Sequence, residues 1–424
     1  MTSFLLPYGK AQLTITIPEE IRVDILTPQI AEGLADPESA IREVLSKPIG
    51  KVSWQAITKT ETVGIAINDK TRPVPNPNPI NHLLDHLNQV GFQSEQITLF
   101  IGSGTHEPMT SAELDRILDQ EIFNSYRIVA HDCDHSNLVN LGNTAYGTPI
   151  QINEEFFHSD LKIAVGNIEP HHFMGFSGGV KTAAIGLAGR ATITENHARL
   201  THPQAKSGVF HINPLRQEVE EIGRKAGIHL TLGTILNEDK SILEIYFGEP
   251  SAVMSAAIPM VRRLFGISVP KPYDLVIASP GGAPKDINLY QSQKGLTHAA
   301  RITRDDGWVI LLAACSEGSG SQTYEKYIKQ AASHQSIIQH FKRGFFKVGP
   351  HKALQIARDA LRVNVMLVSD LDPQTVKDWK LTPSKPELLD ELIKWIVSKL
   401  PPTARIAILP AATRTMTEVI YDKQ

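Results

Sequence analysis

The chain has 424 residues, 42% of them hydrophobic and 21% charged, the make-up of globular material long enough for two or three domains. A formal net charge of −3 gives no long-range pull toward nucleic acid or an anionic membrane, and no apolar run reaches the length of a membrane span. Cys133 and Cys315 are too few for a disulfide framework or a cysteine-built metal centre; residues 1–10 lack a basic segment followed by an apolar one, so a cytoplasmic protein with reduced cysteines is expected.

Along the chain, short runs rich in Ile, Val and Leu recur at 63–68, 96–101, 126–130, 161–166 and 229–236, each ending in a polar or Gly-rich turn. Between them Ile80, Leu83, Leu84, Leu87 and Val90 fall on one helical face closed by Gly91, and Leu215, Val219 and Ile222 form another closed by Gly227. Strands alternating with helices predict an α/β fold with mainly parallel sheets. Two prolines in 267–272 mark a boundary, after which the pattern restarts with strands at 275–278, 308–313, 363–368 and 406–409 and a helix over 387–400. The reading is two α/β domains, 1–268 and 269–424.

Open α/β sheets bind ligands beyond the carboxyl ends of their strands. The first predicted strand runs into Asp69-Lys70-Thr71-Arg72-Pro73-Val74-Pro75, the second into Gly102-Ser103-Gly104-Thr105-His106-Glu107-Pro108, and the one at 161–166 into Glu169-Pro170-His171-His172. Singly, Asp69 and Thr71 could cap a turn and His106 could be a loop residue; together they bring Asp, Arg and His to one crevice.

The run from His171 to Thr182 continues through Gly175, Ser177, Gly178, Gly179 and Lys181, followed by a small-residue stretch, 183–188, that could begin a helix. A strand, a Gly-rich turn and a helix start with a lysine form a phosphate cradle. Val180 occupies the place before the lysine where a P-loop needs Gly, so the match to that motif is incomplete.

Taken together, Asp69 to Pro75, Gly104 to Pro108, His171 to Lys181, His197 and Tyr290-Gln291-Ser292-Gln293-Lys294-Gly295 resemble, in order and over nearly the whole chain, the nickel-dependent lactate racemase family, whose members racemise or epimerise 2-hydroxy acids. The resemblance implies nickel in a pincer cofactor, a pyridinium-3,5-bisthiocarboxylic acid mononucleotide, attached through a thioamide to Lys181 and ligated by His197. It implies His106 and His171 as the two proton-transfer bases, and cofactor-biosynthesis proteins as partners. Imidazole and soft sulfur ligands suit nickel, so a cofactor supplying sulfur and carbon donors needs one histidine from the protein. On this reading Gly178 and Gly179 approach the mononucleotide phosphate, and Asp69 and Thr71 bind its ribose or phosphate. Arg72 offers a planar fork to the substrate carboxylate, assisted by Gln291, Lys294 and Tyr290. His172 is the positional competitor of His171.

Hydride transfer avoids forming a carbanion beside a carboxylate and passes through a planar 2-keto acid. His351 stands where the family pattern carries a tryptophan, which implies a substrate side chain larger or more polar than methyl. Two other classes fit parts of the pattern. One is a phosphate- or nucleotide-binding transferase built on the 175–182 loop. The other is a zinc hydrolase using the histidines, for which no His-Glu-x-x-His pair exists in the sequence.

Overall fold

The computed structural model describes residues 2–29, 31–57, 60–343, 346–347 and 349–420. It divides into two compact units, Ile30–Leu264 and Met1–Gln29 joined with Phe265–Gln424. The sequence reading placed residues 1–29 in the N-terminal domain; they fold instead with the C-terminal one. Val23–Ile25 adds to the edge of the C-terminal sheet in parallel with Ile406–Leu409. The hairpin of Thr2–Tyr8 and Ala11–Ile17 sends Leu6, Tyr8, Ile15 and Ile17 into a core shared with Leu275, Ile310 and Ile408. Alternating polarity announces a half-buried strand but not which core it covers.

The unit Ile30–Leu264 holds a six-stranded sheet in the order Ile242–Gly248, Leu230–Leu236, Leu161–Asn167, Val63–Asn68, Ile97–Gly102, Arg127–Ala130. All neighbours are parallel except the outermost strand, Ile242–Gly248. Val63 to Ile67 are buried without interruption, as befits a central parallel strand covered on both faces. The predicted helices occur as Pro79–Gln89 and Pro214–Lys225, each opened by an asparagine whose side chain accepts a backbone N–H, Asn78 from Ile80 and Asn213 from Arg216, with proline as the first helical residue. The first buries Ile80, Leu83, Leu84 and Leu87.

Chain order along this sheet reverses between Val63–Asn68 and Leu161–Asn167: successive strands build outward from the first on one side and from the second on the other. Such a switch point opens a crevice above the carboxyl ends of the two strands. The loops entering it are 69–75 and 168–180, and the neighbouring strand contributes 103–108.

A short helix, Lys181–Ala184, lies over these strand ends. The stretch 183–188, expected to begin a helix, closes one instead; a separate helix, Arg190–Ala198, follows Gly189. The contact is so close that three positions must lack a side chain. A Cβ on Gly166 would lie 2.5 Å from Thr182 Oγ1, one on Gly102 2.7 Å from the Thr182 carbonyl oxygen, and one on Gly186 2.0 Å from that same oxygen.

The second unit carries another six-stranded sheet, ordered Thr382–Ser384, Asn364–Val368, Thr303–Leu312, Tyr273–Ala278, Ile406–Leu409, Val23–Ile25, parallel throughout. The helix expected over 387–400 is a 3-10 turn, Pro386–Leu388, followed by Leu389–Val397. Among the described residues no helix is long and apolar enough to cross a membrane. Because the Gly186 clash is with backbone that cannot rotate away, Gly186→Ala is expected to lower stability by about 1–3 kcal/mol, read from urea denaturation as a lower midpoint at unchanged slope.

Candidate active site

Asp69 opens the loop after Val63–Asn68 and is almost fully buried. Its two carboxylate oxygens have separate tasks. Oδ1 accepts the Thr71 hydroxyl at 2.6 Å and the Thr71 N–H at 3.2 Å, which ties the turn to itself. Oδ2 lies 2.7 Å from Nδ1 of His106, which arrives from the next strand end. The His106 loop is fixed by Gly104, at φ +57°, whose N–H donates to the Gly186 carbonyl. Burial would raise the Asp69 pKa, but the bonds from His106 and Thr71 outweigh it and hold the carboxyl below its ordinary value. In this arrangement Thr71 orients Asp69 and Asp69 orients His106.

Arg72 is half-buried in a groove with Asp69, Pro73, Asn167 and Thr234. Asn167 Nδ2 donates to the Pro73 carbonyl at 2.7 Å while its Oδ1 accepts from Thr234, so the segment carrying the arginine is held to the adjacent strands. Among the described residues the guanidinium has no ion-pair partner, which leaves its planar fork for an anion.

After Leu161–Asn167 the chain makes a small hairpin whose strands are two residues each, Pro170–His171 against Gly175–Phe176. Ser177 closes its base, donating to the Asn167 carbonyl at 2.8 Å and accepting the Glu169 N–H at 3.1 Å. Gly175 is at φ +79°, and a Cβ there would lie 1.9 Å from the Val209 carbonyl oxygen. Nδ1 of His171 accepts the N–H of Met174 at 3.1 Å. The His171 and His172 rings stack at 4.7 Å, both present faces or edges to Phe173, and Phe173 meets His197 at 5.2 Å. His171, His172 and His197 therefore share one aromatic cluster, with His197 in the last turn of Arg190–Ala198.

Lys181 begins the short helix. Desolvation, and then repulsion from Arg72 and Arg216, brings its pKa down to about 7, although Glu169 and Asp69 oppose the change. His197 is pushed down to about 3 by burial and by Lys181, against a backbone bond at Ile193, so its imidazole is neutral throughout the physiological range. A neutral imidazole is the form that ligates a metal, and a neutral amine is the form that acylates.

Gly178 and Gly179 sit at φ +74° and +60°, but both are buried. Their missing side chains make room for protein: a Cβ on Gly178 would lie 2.6 Å from Ile168, and one on Gly179 2.9 Å from the Met254 sulfur and 3.0 Å from Arg216. With only four residues in the helix that follows, no long dipole backs the turn. These glycines thus let the turn pack against Ile168, Met254 and Arg216.

Sequence reasoning missed Arg216 and Glu218, which lie beside the apolar stripe of Pro214–Lys225. Arg216 is fully buried, donates to the carbonyls of Phe176 at 3.0 Å and Gly178 at 3.1 Å, and pairs with Glu220. Glu218, also buried, accepts from Thr144, Thr148, Asn196 and Arg199. Charged residues next to a helical stripe ordinarily read as solvated, so the sequence carried no signal for either.

Tyr290, Gln291 and Lys294 belong to the other unit, in the first turns of the helix Leu289–Ile302. Asn288 caps that helix, and Lys294 Nζ donates to Gln291 Oε1 at 2.9 Å. His351 packs edge-on against Tyr290 at 5.9 Å, and the buried Lys352 amine lies 4.5 Å from the Tyr290 ring centre while donating to Gln293. Sequence reasoning passed over Lys352.

The electrostatics at Lys181 give a direct readout. In the cofactor-free protein its reaction with an amine-directed acylating reagent is expected to rise with a midpoint near pH 7, against about 10.4 for an ordinary lysine, followed by peptide mass spectrometry.

Residues 8–208 match the lactate racemase N-terminal domain and residues 269–415 the lactate racemase C-terminal domain. The chain is 29% identical over 97% of its length to a lactate racemase of Thermoanaerobacterium thermosaccharolyticum, covering 98% of that protein, and 28% identical over 97% of its length to one of Lactiplantibacillus plantarum, again covering 98%. The structure of the lactate racemase apoprotein from T. thermosaccharolyticum superposes with a TM-score of 0.89 at 27% identity, over 98% of this chain and all of that one. A Thermotoga maritima protein at 16% identity shares the fold, with a TM-score of 0.64 over 92% of this chain and 100% of that one. With both domain types matched in order, the chain belongs to the lactate racemase family.

Proposed function

We propose that this racemase inverts C2 of a 2-hydroxy acid, with His106 and His171 handling the hydroxyl proton and Lys181 and His197 holding a nickel pincer cofactor. The observation that carries the reading is the convergence at one switch point of the Asp69-oriented His106, the hairpin-borne His171, and the Lys181–His197 pair whose neutral forms burial favours. The donor chemistry fits the cofactor: an imidazole kept neutral for nickel, and an amine near its titration midpoint for a thioamide bond. Bound there, the pyridinium-3,5-bisthiocarboxylic acid mononucleotide would supply a hydride acceptor.

The protein's own groups do the remaining work. Arg72 binds the substrate carboxylate through its fork and so fixes which groups C2 presents. A histidine takes the hydroxyl proton as the C–H bond breaks, leaving a planar 2-keto acid that can accept hydride on either face. His106 and His171 serve opposite configurations, and His172, stacked on His171, has the lesser part. Gln291, Lys294 and Tyr290 are assigned to substrate. His351 packed on Tyr290 favours a side chain larger or more polar than methyl, so lactate, substituted lactates and sugar acids form the screening panel. Loading calls on cofactor-biosynthesis proteins.

Protein made in a host with the cofactor pathway is expected to contain nickel and to carry a mononucleotide-sized adduct on the Lys181 peptide; fully active nickel-free protein would refute this. His106→Ala and His171→Ala each abolish inversion in both directions, whereas His172→Ala is milder. With substrate deuterated at C2 and turned over in ordinary water, the inverted product keeps most of its deuterium. Extensive washout would point to a carbanion handled by the histidines.

A further inference from the structure

The two histidines differ in what holds their Nδ1 atoms, and the difference is chemical. Asp69 is ionised and accepts only, so at 2.7 Å the His106 Nδ1 must carry the hydrogen, and the lone pair of the neutral ring lies on Nε2. The Met174 amide donates only, so at 3.1 Å the His171 Nδ1 must be bare, and the hydrogen of the neutral ring lies on Nε2. We propose that His106 and His171 rest in opposite tautomers, so that His106 meets a substrate hydroxyl as a proton acceptor and His171 meets it as a hydrogen-bond donor. Asp69 is then the positioning residue that makes one side of the site basic. This step rests on the assignment of both histidines to the hydroxyl.

The consequence is a site that is not mirror-symmetric in its protons. When the hydroxyl reaches His106, the O–H bond breaks, an Nε2–H bond forms, and the resulting imidazolium keeps its Nδ1–H on Asp69. The enantiomer whose hydroxyl reaches His171 meets an N–H. Its proton has no lone pair to enter until the ring has exchanged its Nε2 proton for one on Nδ1, which breaks the bond from the Met174 amide. Enantiomers have equal free energy, so kcat/KM is the same from either side. The asymmetry therefore falls in kcat, with KM changing in proportion.

The geometry also fixes what Asp69→Asn does. Oδ1 receives two hydrogen bonds from Thr71, so in the variant the amide oxygen stays on the Thr71 side and the NH2 group takes the place of Oδ2. That group can only donate to His106 Nδ1, which forces the ring into the tautomer already held by His171. Both Nε2 atoms then carry hydrogen and neither neutral ring accepts. An Asp-to-Asn change beside a catalytic histidine produces a wrong tautomer in this way in serine proteases.

The test is nitrogen NMR of the cofactor-free protein with 15N-labelled histidine, resonances being assigned through His106→Gln and His171→Gln. A bare Nε2 on His106 and a bare Nδ1 on His171 are expected in the unsubstituted protein. In Asp69→Asn the His106 pattern reverses and that of His171 stays. The same tautomer in both rings, or a His106 pattern unmoved by Asp69→Asn in a protein with unchanged circular dichroism, overturns the proposal. In loaded enzyme Asp69→Asn is expected to lower kcat at least about 100-fold with little change in KM. Tautomers as stated in a loaded protein that racemises nothing would overturn the functional assignment and leave this inference standing.

Discussion

The contact on which the rest depends is backbone against backbone: the short helix Lys181–Ala184 pressed onto the ends of three parallel strands. The Thr182 carbonyl lies where a Cβ on Gly102 or Gly186 would be, and the Thr182 hydroxyl where one on Gly166 would be. The Thr182 carbonyl, unlike a side chain, cannot rotate away from these positions. Lys181 is thereby fixed beside the loops that carry Asp69, His106 and His171, and the close approach that fixes it also strips water from its amine. Geometry and electrostatics have one cause.

That cause explains why cations gather where burial opposes them. Arg72 and Arg216 both act to discharge Lys181, and Lys181 in turn helps to keep His197 neutral. A charged amine among two guanidiniums would be costly, and a neutral one is not. Arg216 itself is held by carbonyls of Phe176 and Gly178 and by Glu220, so its charge is fixed in place. The result is a positive field, anchored at Arg216, around an amine near its titration midpoint at neutral pH. Such a field suits an anionic substrate and does not have to reorganise to meet it.

Much of this was legible in the chain. The strands 63–68 and 406–409 occur as read, and the others shift at their ends by one or a few residues, because parallel core strands are continuous apolar runs ended by turns. The strand-end loops could be read because open α/β sheets put ligands there, and so Asp69, Arg72, His106 and His171 were all in view. What could not be read were relations that depend on a third dimension. Gly178 and Gly179 do not announce in sequence that they make room for Ile168 and Met254. Asp69 gives no sign in sequence that the His106 ring lies against it. The N-terminal hairpin gives no hint in sequence that it belongs to strands nearly 300 residues away.

Glu218 shows how the scaffold fixes His197. A carboxylate taken out of water is costly unless its oxygens are occupied, and four groups occupy these: Thr144 and Thr148 on Oε1, Asn196 and Arg199 on Oε2. Asn196 and Arg199 flank His197 in sequence, one on each side, and Asn196 also donates to the Leu215 carbonyl. The last turn of Arg190–Ala198 is therefore clamped to Pro214–Lys225 at two points around the imidazole. Pro214–Lys225 in turn holds the Gly178 loop through Arg216. One helix with two buried charges thus tethers both the turn that carries His197 and the turn that leads to Lys181.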